Sequence, residues 1–368
     1  MIAFIQHSGN ANFRYATNLE VEHAYHVFSI DRAGIKVAEE LNLVVVPDLE
    51  RERAKAESRA KEVLTYSEIG YYERMRRNSE YPLGESLLSL LQQKGVDRVA
   101  VPEDFPVKLA LSLKSELPLE VMKNPFSERR SVKSEEEVEK IRESCFAAVD
   151  AFKFVLRFIE KSLNRGRKRT CEELRNLVEL RLFSRGFLAE NTIMASGIKT
   201  HQPHWIGYGE LKGHLIADIF PKNREHGYFG DFTRTVVIPE LGESEEIEDM
   251  LRACIEAKNR AEKIVKPGVL ARDIHCEVCD VLESYGYDTL RKNSKEGFIH
   301  STGHGVGLEV HEDPKIFEND DEIKKGMVFT VEPGLYYKKC GGVRVEDTLV
   351  VRRNGAEILT PCEDFVVL

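Results

Sequence analysis

The sequence predicts an α/β (α+β) protein in two parts: a smaller α/β domain over 1–124, then a larger domain over 125–368 built as a pseudo-two-fold repeat. Three observations give this reading. In the first third, short apolar runs ending at proline alternate with segments of helical spacing. A Pro-, Ser- and Arg/Lys-rich break then leads into a strong helix-start signature. Beyond it, two similar helical segments lie a hundred residues apart, and each precedes a strand-rich stretch holding two carboxylates.

In order, LNLVVVPD (41–48) and DRVAVPED (97–104) are expected as buried strands, because they are short, apolar and stopped by proline. ERERAKAESRAKEVL (50–64) and GESLLSLLQQKG (84–95) have helical spacing, with Gly95 as a C-terminal stop. The break falls in SELPLEVMKNPFSERRSVK, around Pro125. SEEEVEK then opens a long helix, with Ser134 as its cap and Glu137 three residues on.

In the repeat, CEELRNLVELRLFSRGF (171–187) resembles HCEVCDVLESYGY (275–287). Leu182/Leu282, Ser184/Ser284, Gly186/Gly286 and Phe187/Tyr287 match at an offset of 100. Each copy follows another helix and a turn. After each comes a carboxylate pair: Asp218 and Asp231 are 13 apart, Glu332 and Glu346 are 14 apart. Two helix–helix–sheet halves facing each other, with one hairpin from each supplying acids, satisfy this pattern.

Composition narrows the function classes. At 368 residues, with 42% hydrophobic and 31% charged side chains, the chain has an ordinary globular composition and can bury a large core. A net charge of −9 and a pI near 5.8 argue against nucleic acid or an anionic membrane as the main partner. No apolar run approaches the roughly 20 residues that span a bilayer. The start, MIAFIQHSGNANFRY, carries no secretory pattern, so no signal peptide is expected. Seven scattered cysteines fit free thiols in a reducing cytoplasm. Cys276 and Cys279 form a CxxC inside a helix-patterned segment, without the second ligand pair that a zinc site needs.

The chemistry-bearing residues are acids set into apolar strands. Asp218 interrupts LIADIF, Asp231 lies in YFGDFTRT, Glu332 in FTVEPG and Glu346 in GGVRVEDT. A buried carboxylate costs several kcal/mol without a cation or strong hydrogen bonds. Arg234 and Arg344 offer a salt-bridge explanation for Asp231 and Glu346 taken singly. Four such acids together with His304 of STGHGVGLEVHE form an oxygen-rich set suited to paired divalent ions that share one water. His304 and His311 lie seven apart among Gly303, Gly305 and Gly307, where the backbone can approach closely. His204 in HQPHW is a further site candidate. His201, His214, His226, His275 and His300 are expected on loops or the surface.

TIMASGIKTHQPH, GDFTRT, STGHGVGLEVHE, VEPG and GGVRVEDT resemble the signatures of the pita-bread metallopeptidases, which include methionine aminopeptidase, aminopeptidase P and prolidase. The resemblance extends more vaguely through ANFRYATNL and VVVPDLERERA, and an N-terminal domain of this size resembles the proline-specific branch. It implies a creatinase-like N-terminal domain and a pita-bread domain. It also implies two divalent metal ions, with Mn or Co ahead of Zn or Fe, a homodimer, and short proline-containing peptides as substrates.

By that resemblance Asp218 binds one metal, His304 and Glu332 the other, and Asp231 and Glu346 bridge both. Glu332 would shuttle the proton, His204 and His311 would contact substrate, and Arg344 would orient Asp231 or Glu346. Lys315, after HEDP, stands where prolidase-like members often have a basic residue, and would hold a dipeptide's carboxylate. The chain departs from the family's DxG pattern at Asp218-Ile219-Phe220, with a slightly long spacing to Asp231, which a longer hairpin turn can absorb. Metal-free hydrolases and non-enzymatic binding proteins share this fold but are expected to have lost ligands, and none is lost here.

Overall fold

A computed structural model describes residues 1–31, 37–242 and 245–368. It divides into two compact units, Met1–Arg130 and Ser131–Leu368, so the division falls a few residues beyond the expected one, at the short helix α6 (Pro125–Ser131).

The first unit is a mixed six-stranded sheet with helices on both faces. Its strands are β1 (Ile2–His7), β2 (Tyr25–Ile30), β3 (Val37–Val46), β4 (Glu62–Thr65), β5 (Arg98–Val101) and β6 (Leu119–Val121), in the spatial order β4-β3-β2-β1-β5-β6. Its helices are α1 (Ala11–Thr17), α2 (Arg51–Glu57), α3 (Tyr71–Arg76), α4 (Pro82–Gln93) and α5 (Val107–Lys114). The strand period of two sorts the core. Ala3, Ile5, Val27, Leu43 and Val45 pack with Leu87, Leu91 and Leu113 on one face, while Phe4, Phe28 and Ala100 pack with Phe126 on the other. The expected helix over 50–64 ends at Glu57. Residues 62–65 instead form β4, paired in parallel with Leu43–Val46, because sheet pairing overrides a weak helical preference.

The second unit holds the repeat. Its first half pairs α7 (Glu135–Leu163) with α8 (Cys171–Phe183), and its second pairs α9 (Glu245–Ile264) with α10 (Ala271–Ser284). Ser134 and Glu137 close a capping box on α7, and Thr170 and Glu173 do the same for α8, satisfying amide groups that the first helical turn leaves unpaired. Gly186 and Gly286 turn the chain after α8 and α10 at φ of 87° and 88°, a left-handed conformation that disfavours any residue with a Cβ.

The strands are β7 (Phe187–Leu188), β8 (Ile193–Ser196), β9 (His214–Asp218), β10 (Lys222–Asn223), β11 (Thr233–Val237), β12 (Gly303–Gly305), β13 (Glu312–Ile316), β14 (Val328–Val331), β15 (Gly334–Tyr337), β16 (Gly341–Arg344), β17 (Asp347–Arg352), β18 (Gly355–Ile358) and β19 (Val366–Val367). The first half's sheet runs β19-β11-β9-β8, and the second's β13-β12-β14-β17-β18. One core packs α7 and α8 under the first sheet through Phe152, Val155, Leu174, Leu182, Leu215 and Phe232. The other packs α9 and α10 under the second through Leu251, Cys254, Val278, Leu282, Phe329 and Leu349. All seven cysteines are free, and among the described residues no helix is long and apolar enough to cross a membrane.

Candidate metal centre

The two halves are stitched together where β11 meets the chain entering β17. Glu346 N donates to Thr233 O (3.0 Å), Thr348 Oγ1 to Asp231 O (2.7 Å) and Thr235 Oγ1 to Arg344 O (2.9 Å). Strand alternation then puts Asp231 and Thr233 on one side of this seam and Arg234 on the other. Glu346 shares the first side, its Oε2 accepting from Thr233 Oγ1 at 2.7 Å. Asp218 ends β9 directly opposite Thr233. The residues between the two aspartates form the long turn foreseen from their spacing. That turn is anchored on α7 through Tyr228 OH to Glu137 Oε1 (2.7 Å) and Ser144 Oγ to Tyr228 O (2.9 Å).

His304 arrives on β12, between β13 and β14. Its glycine neighbours are required by packing: a Cβ on Gly303 would lie 1.8 Å from Thr330 O, and one on Gly305 2.2 Å from Asp313 O. The imidazole Nε2 lies 3.3 Å from Glu332 Oε1 and 3.7 Å from Asp231 Oδ2. Asp231, His304 and Glu346 each offer a ligand atom within 4.8 Å of the others. His311 sets its ring edge-on to His304, with centroids 4.2 Å apart.

Arg344 corrects one expectation. It was expected to orient Asp231 or Glu346, but its Nη2 donates to Asp218 Oδ2 at 2.5 Å, because its long side chain runs from the end of β16 to the end of β9. Its Nη1 donates to Tyr336 OH (2.7 Å) and also lies 3.4 Å from Pro203 O. Arg234 likewise leaves Asp231 alone and pairs with Asp347 at 2.8 Å on the far side of the seam. The salt-bridge explanation of Asp231 and Glu346 is therefore not the one the structure adopts.

His204 follows Pro203 on the rim of an open hollow of about 460 Å³, lined by Gln202, Pro203, His204, Trp205 and Ile206. Lys315 pairs across β12–β13 with His304; its exposed ammonium rests over the Phe317 ring, 5.3 Å from the centroid. Three histidines differ from expectation. His214 and His275 are core residues, bonded to Thr200 Oγ1 (2.8 Å) and Thr302 Oγ1 (2.9 Å), with burial pushing both down to about 4. His300 is part of the site's surroundings, its Nε2 3.3 Å from Tyr336 OH, with burial holding its pKa below the usual value against the opposing charge of Glu332. Tyr336, His300 and Thr233 were not assigned from sequence. The signal available was their position inside or beside the motifs VEPG, STGHGVGLEVHE and GDFTRT.

The electrostatics are those of a carboxylate cluster short of positive charge. Burial, then the charges of Glu346, Asp218 and Glu332, push Asp231 well above the usual carboxylate range. Burial, Glu332 and Asp218 push Glu346 up to about 8. Glu332 goes the other way, to about 2: burial opposes its ionisation, but the hydrogen bond and charge of His304, with His300 and Arg344, outweigh it. His304 is correspondingly held above its usual value by Glu332 in spite of burial. Two carboxylates that cannot both ionise unaided, beside one imidazole and one ionised glutamate, fit hard divalent cations in charge and donor type. Of the four acids, Arg344 hydrogen-bonds Asp218.

The signature of metallopeptidase family M24 matches residues 139–353, more than half of the chain and all five candidate ligands. The chain is 32% identical to the Xaa-Pro dipeptidase of Pyrococcus furiosus over 86% of its length and 84% of that protein's. Among solved structures, it is similar to the prolidase of Pyrococcus furiosus (TM-score 0.78, 26% identity, covering 98% and 96% of the two chains). It is equally similar to an X-Pro aminopeptidase from Thermotoga maritima (TM-score 0.79, 25% identity, 100% and 98%). A clustered acid–imidazole set on two facing hairpins, inside a family match of this extent, places the chain in metallopeptidase family M24.

Proposed function

We propose that this chain is a dimetal Xaa-Pro dipeptidase, releasing the residue before proline from short peptides. The observation that carries the reading is the convergence of Asp231, His304 and Glu346, with Glu332 on His304 and Asp218 beside the seam. Asp218 would hold one cation, His304 and Glu332 the other, and Asp231 and Glu346 both. Such a pair would supply Lewis acidity to the scissile carbonyl and acidify the attacking water. Mn or Co is the metal favoured by the family resemblance, which also supports a cytoplasmic homodimer.

The chain's own residues do the rest. Glu332, ionised throughout the neutral range, accepts the water's proton on its carboxylate and returns it to the departing proline nitrogen. His204 and His311 donate hydrogen bonds to the carbonyl oxygen as negative charge builds there. Burial, then His304, hold His311 below its usual pKa, so it is a neutral donor at working pH. Arg344 fixes Asp218 by a charge-assisted hydrogen bond.

Lys315 is the proposed carboxylate holder that separates a dipeptidase from an aminopeptidase. Its ammonium is a point charge on the strand next to His304 and has no ion-pair partner among the described residues. The likeness to the Thermotoga maritima X-Pro aminopeptidase favours the second reading, in which longer peptides are cleaved. Comparing Xaa-Pro with Xaa-Pro-Xaa hydrolysis in wild type and Lys315→Ala decides between them. The dipeptidase reading expects faster dipeptide cleavage by wild type and a KM increase for the dipeptide alone in the variant. Faster tripeptide cleavage with no dipeptide-specific loss would assign the chain as an aminopeptidase.

A further inference from the structure

Behind the seam, on the side away from the candidate ligands, lies a buried ionic cluster that the proposed reaction does not use. Arg234 is fully buried, and all its donor groups find acceptors. Nη1 donates to Thr233 O (3.0 Å) and to Glu346 O, and Nε to Glu363 O (3.0 Å). Nη2 reaches Asp347 Oδ1 (2.8 Å), Asp364 Oδ1 (3.0 Å) and Cys362 O (3.3 Å). Lys258, projecting from α9, meets Asp347 Oδ2, Asp364 Oδ1 (3.0 Å) and Glu262 Oε1 (3.4 Å). Thr360 Oγ1 adds a bond to Asp347 Oδ1 (2.8 Å).

The connectivity gives this cluster a purpose beyond filling space. One guanidinium grips the carbonyls of Thr233 and Glu346, the two residues that face each other across the join between the halves. The other ends of the network are the last residues of the chain, which β19 also ties to β11 by parallel pairing of Val366 with Val236. A buried ion cluster is poor as a source of stability, since desolvation of its charges offsets most of their attraction. Its gain is geometric: a planar fork fixed at five donors tolerates little sliding of one strand past the other.

We propose that Arg234, with Asp347, Lys258 and Asp364 behind it, is a positioning cluster that sets the register between the two ligand hairpins. It thereby holds Asp231 and Glu346 at the spacing needed to share cations. The inference rests on the reading of those two acids as ligands. Arg234 touches no substrate and acts through the Thr233 and Glu346 backbone. A one-residue slip at this seam would turn Glu346 to the wrong face.

The test is Mn²⁺ affinity, measured by titration calorimetry on metal-depleted full-length protein well below its unfolding temperature. Arg234→Lys keeps the charge but cannot span both carbonyls. Asp364→Asn loosens the cluster from its partly exposed end and serves if the first variant fails to fold. Arg234→Lys is expected to weaken Mn²⁺ binding about 10- to 100-fold, the range for residues that orient ligands. Asp364→Asn should shift it in the same direction by less, and substrate KM at saturating Mn²⁺ should stay unchanged in both. Lowered melting temperatures with wild-type Mn²⁺ affinity would overturn the proposal and leave the cluster as scaffold. Absence of Mn²⁺ binding by the wild type would overturn the metal-centre reading itself, and this inference with it.

Discussion

The two hairpins that build the candidate site come from matching halves of a repeat, yet they contribute unlike chemistry. As candidate ligands the first half supplies two aspartates: Asp218 at the end of β9, and Asp231 two residues before β11, joined by a turn pinned to α7. The second supplies longer glutamates separated by an extra hairpin, β15–β16, and adds the candidate ligand His304 on β12 with His311 beside it. Asp231 and Glu346 show the same electrostatic pressure, raised by burial and by neighbouring carboxylates, whereas Glu332 is lowered by its hydrogen bond to His304 and the charge of that imidazole. The lesson is a division of labour. Among the candidate ligands, one half provides carboxylates alone, and the other provides carboxylates together with an imidazole.

The largest expected effect comes from removing the charge that both halves contribute. Asp231→Asn and Glu346→Gln should each lower metal content and Xaa-Pro hydrolysis together, by more than the roughly 10- to 100-fold that loss of a ligand's supporting partner costs. Equal losses would show that the two halves share the cations. Full metal content in either variant, read by elemental analysis, would break the symmetry.

A smaller and different effect should follow from His311→Ala, in the second half only. Metal content should remain, while kcat falls by about 10²-fold, as for loss of an oxyanion donor. If metal is lost with activity, His311 belongs to the ligand set and the proposed division fails.

The smallest effect is on stability in the metal-depleted protein. Glu346 binds a proton in the folded chain up to pH about 8 but releases it near the ordinary carboxylate value when unfolded. The folded state therefore carries more protons between those limits, and stability falls as pH rises through them. Asp231 acts in the same direction. The melting temperature of metal-depleted protein should be lower at pH 8 than at pH 6, and Mn²⁺ should raise it more at pH 8. Glu346→Gln should flatten the metal-free slope. An unchanged slope would mean that other groups carry it.

Much of this was legible in the sequence for identifiable reasons. The capping pattern at Ser134 and Glu137, the glycines at 186 and 286, and acids set into apolar strands are local signals, and each corresponds to a local structure. Failures came where a partner distant in sequence decides the outcome. Residues 62–65 look helical until β3 offers them an edge. His214 and His275 look like loop residues until Thr200 and Thr302 satisfy them in the core. Arg344 lies two residues from Glu346, yet its side chain spans to Asp218, and no spacing rule reports that reach. Tyr336 was invisible as a site neighbour for the same reason, and Arg234, adjacent in sequence to the Asp231 motif, pairs instead with the distant Asp347.

The most direct test of the central claim, that the two halves together build one dimetal centre, is the stoichiometry of Mn²⁺ bound to metal-depleted protein, titrated while Xaa-Pro hydrolysis is followed. The account predicts two ions per chain, with activity absent in the fully chelated protein and returning as the sites fill. Full hydrolysis in rigorously metal-free protein, or saturation of activity and binding at a single ion, would contradict it.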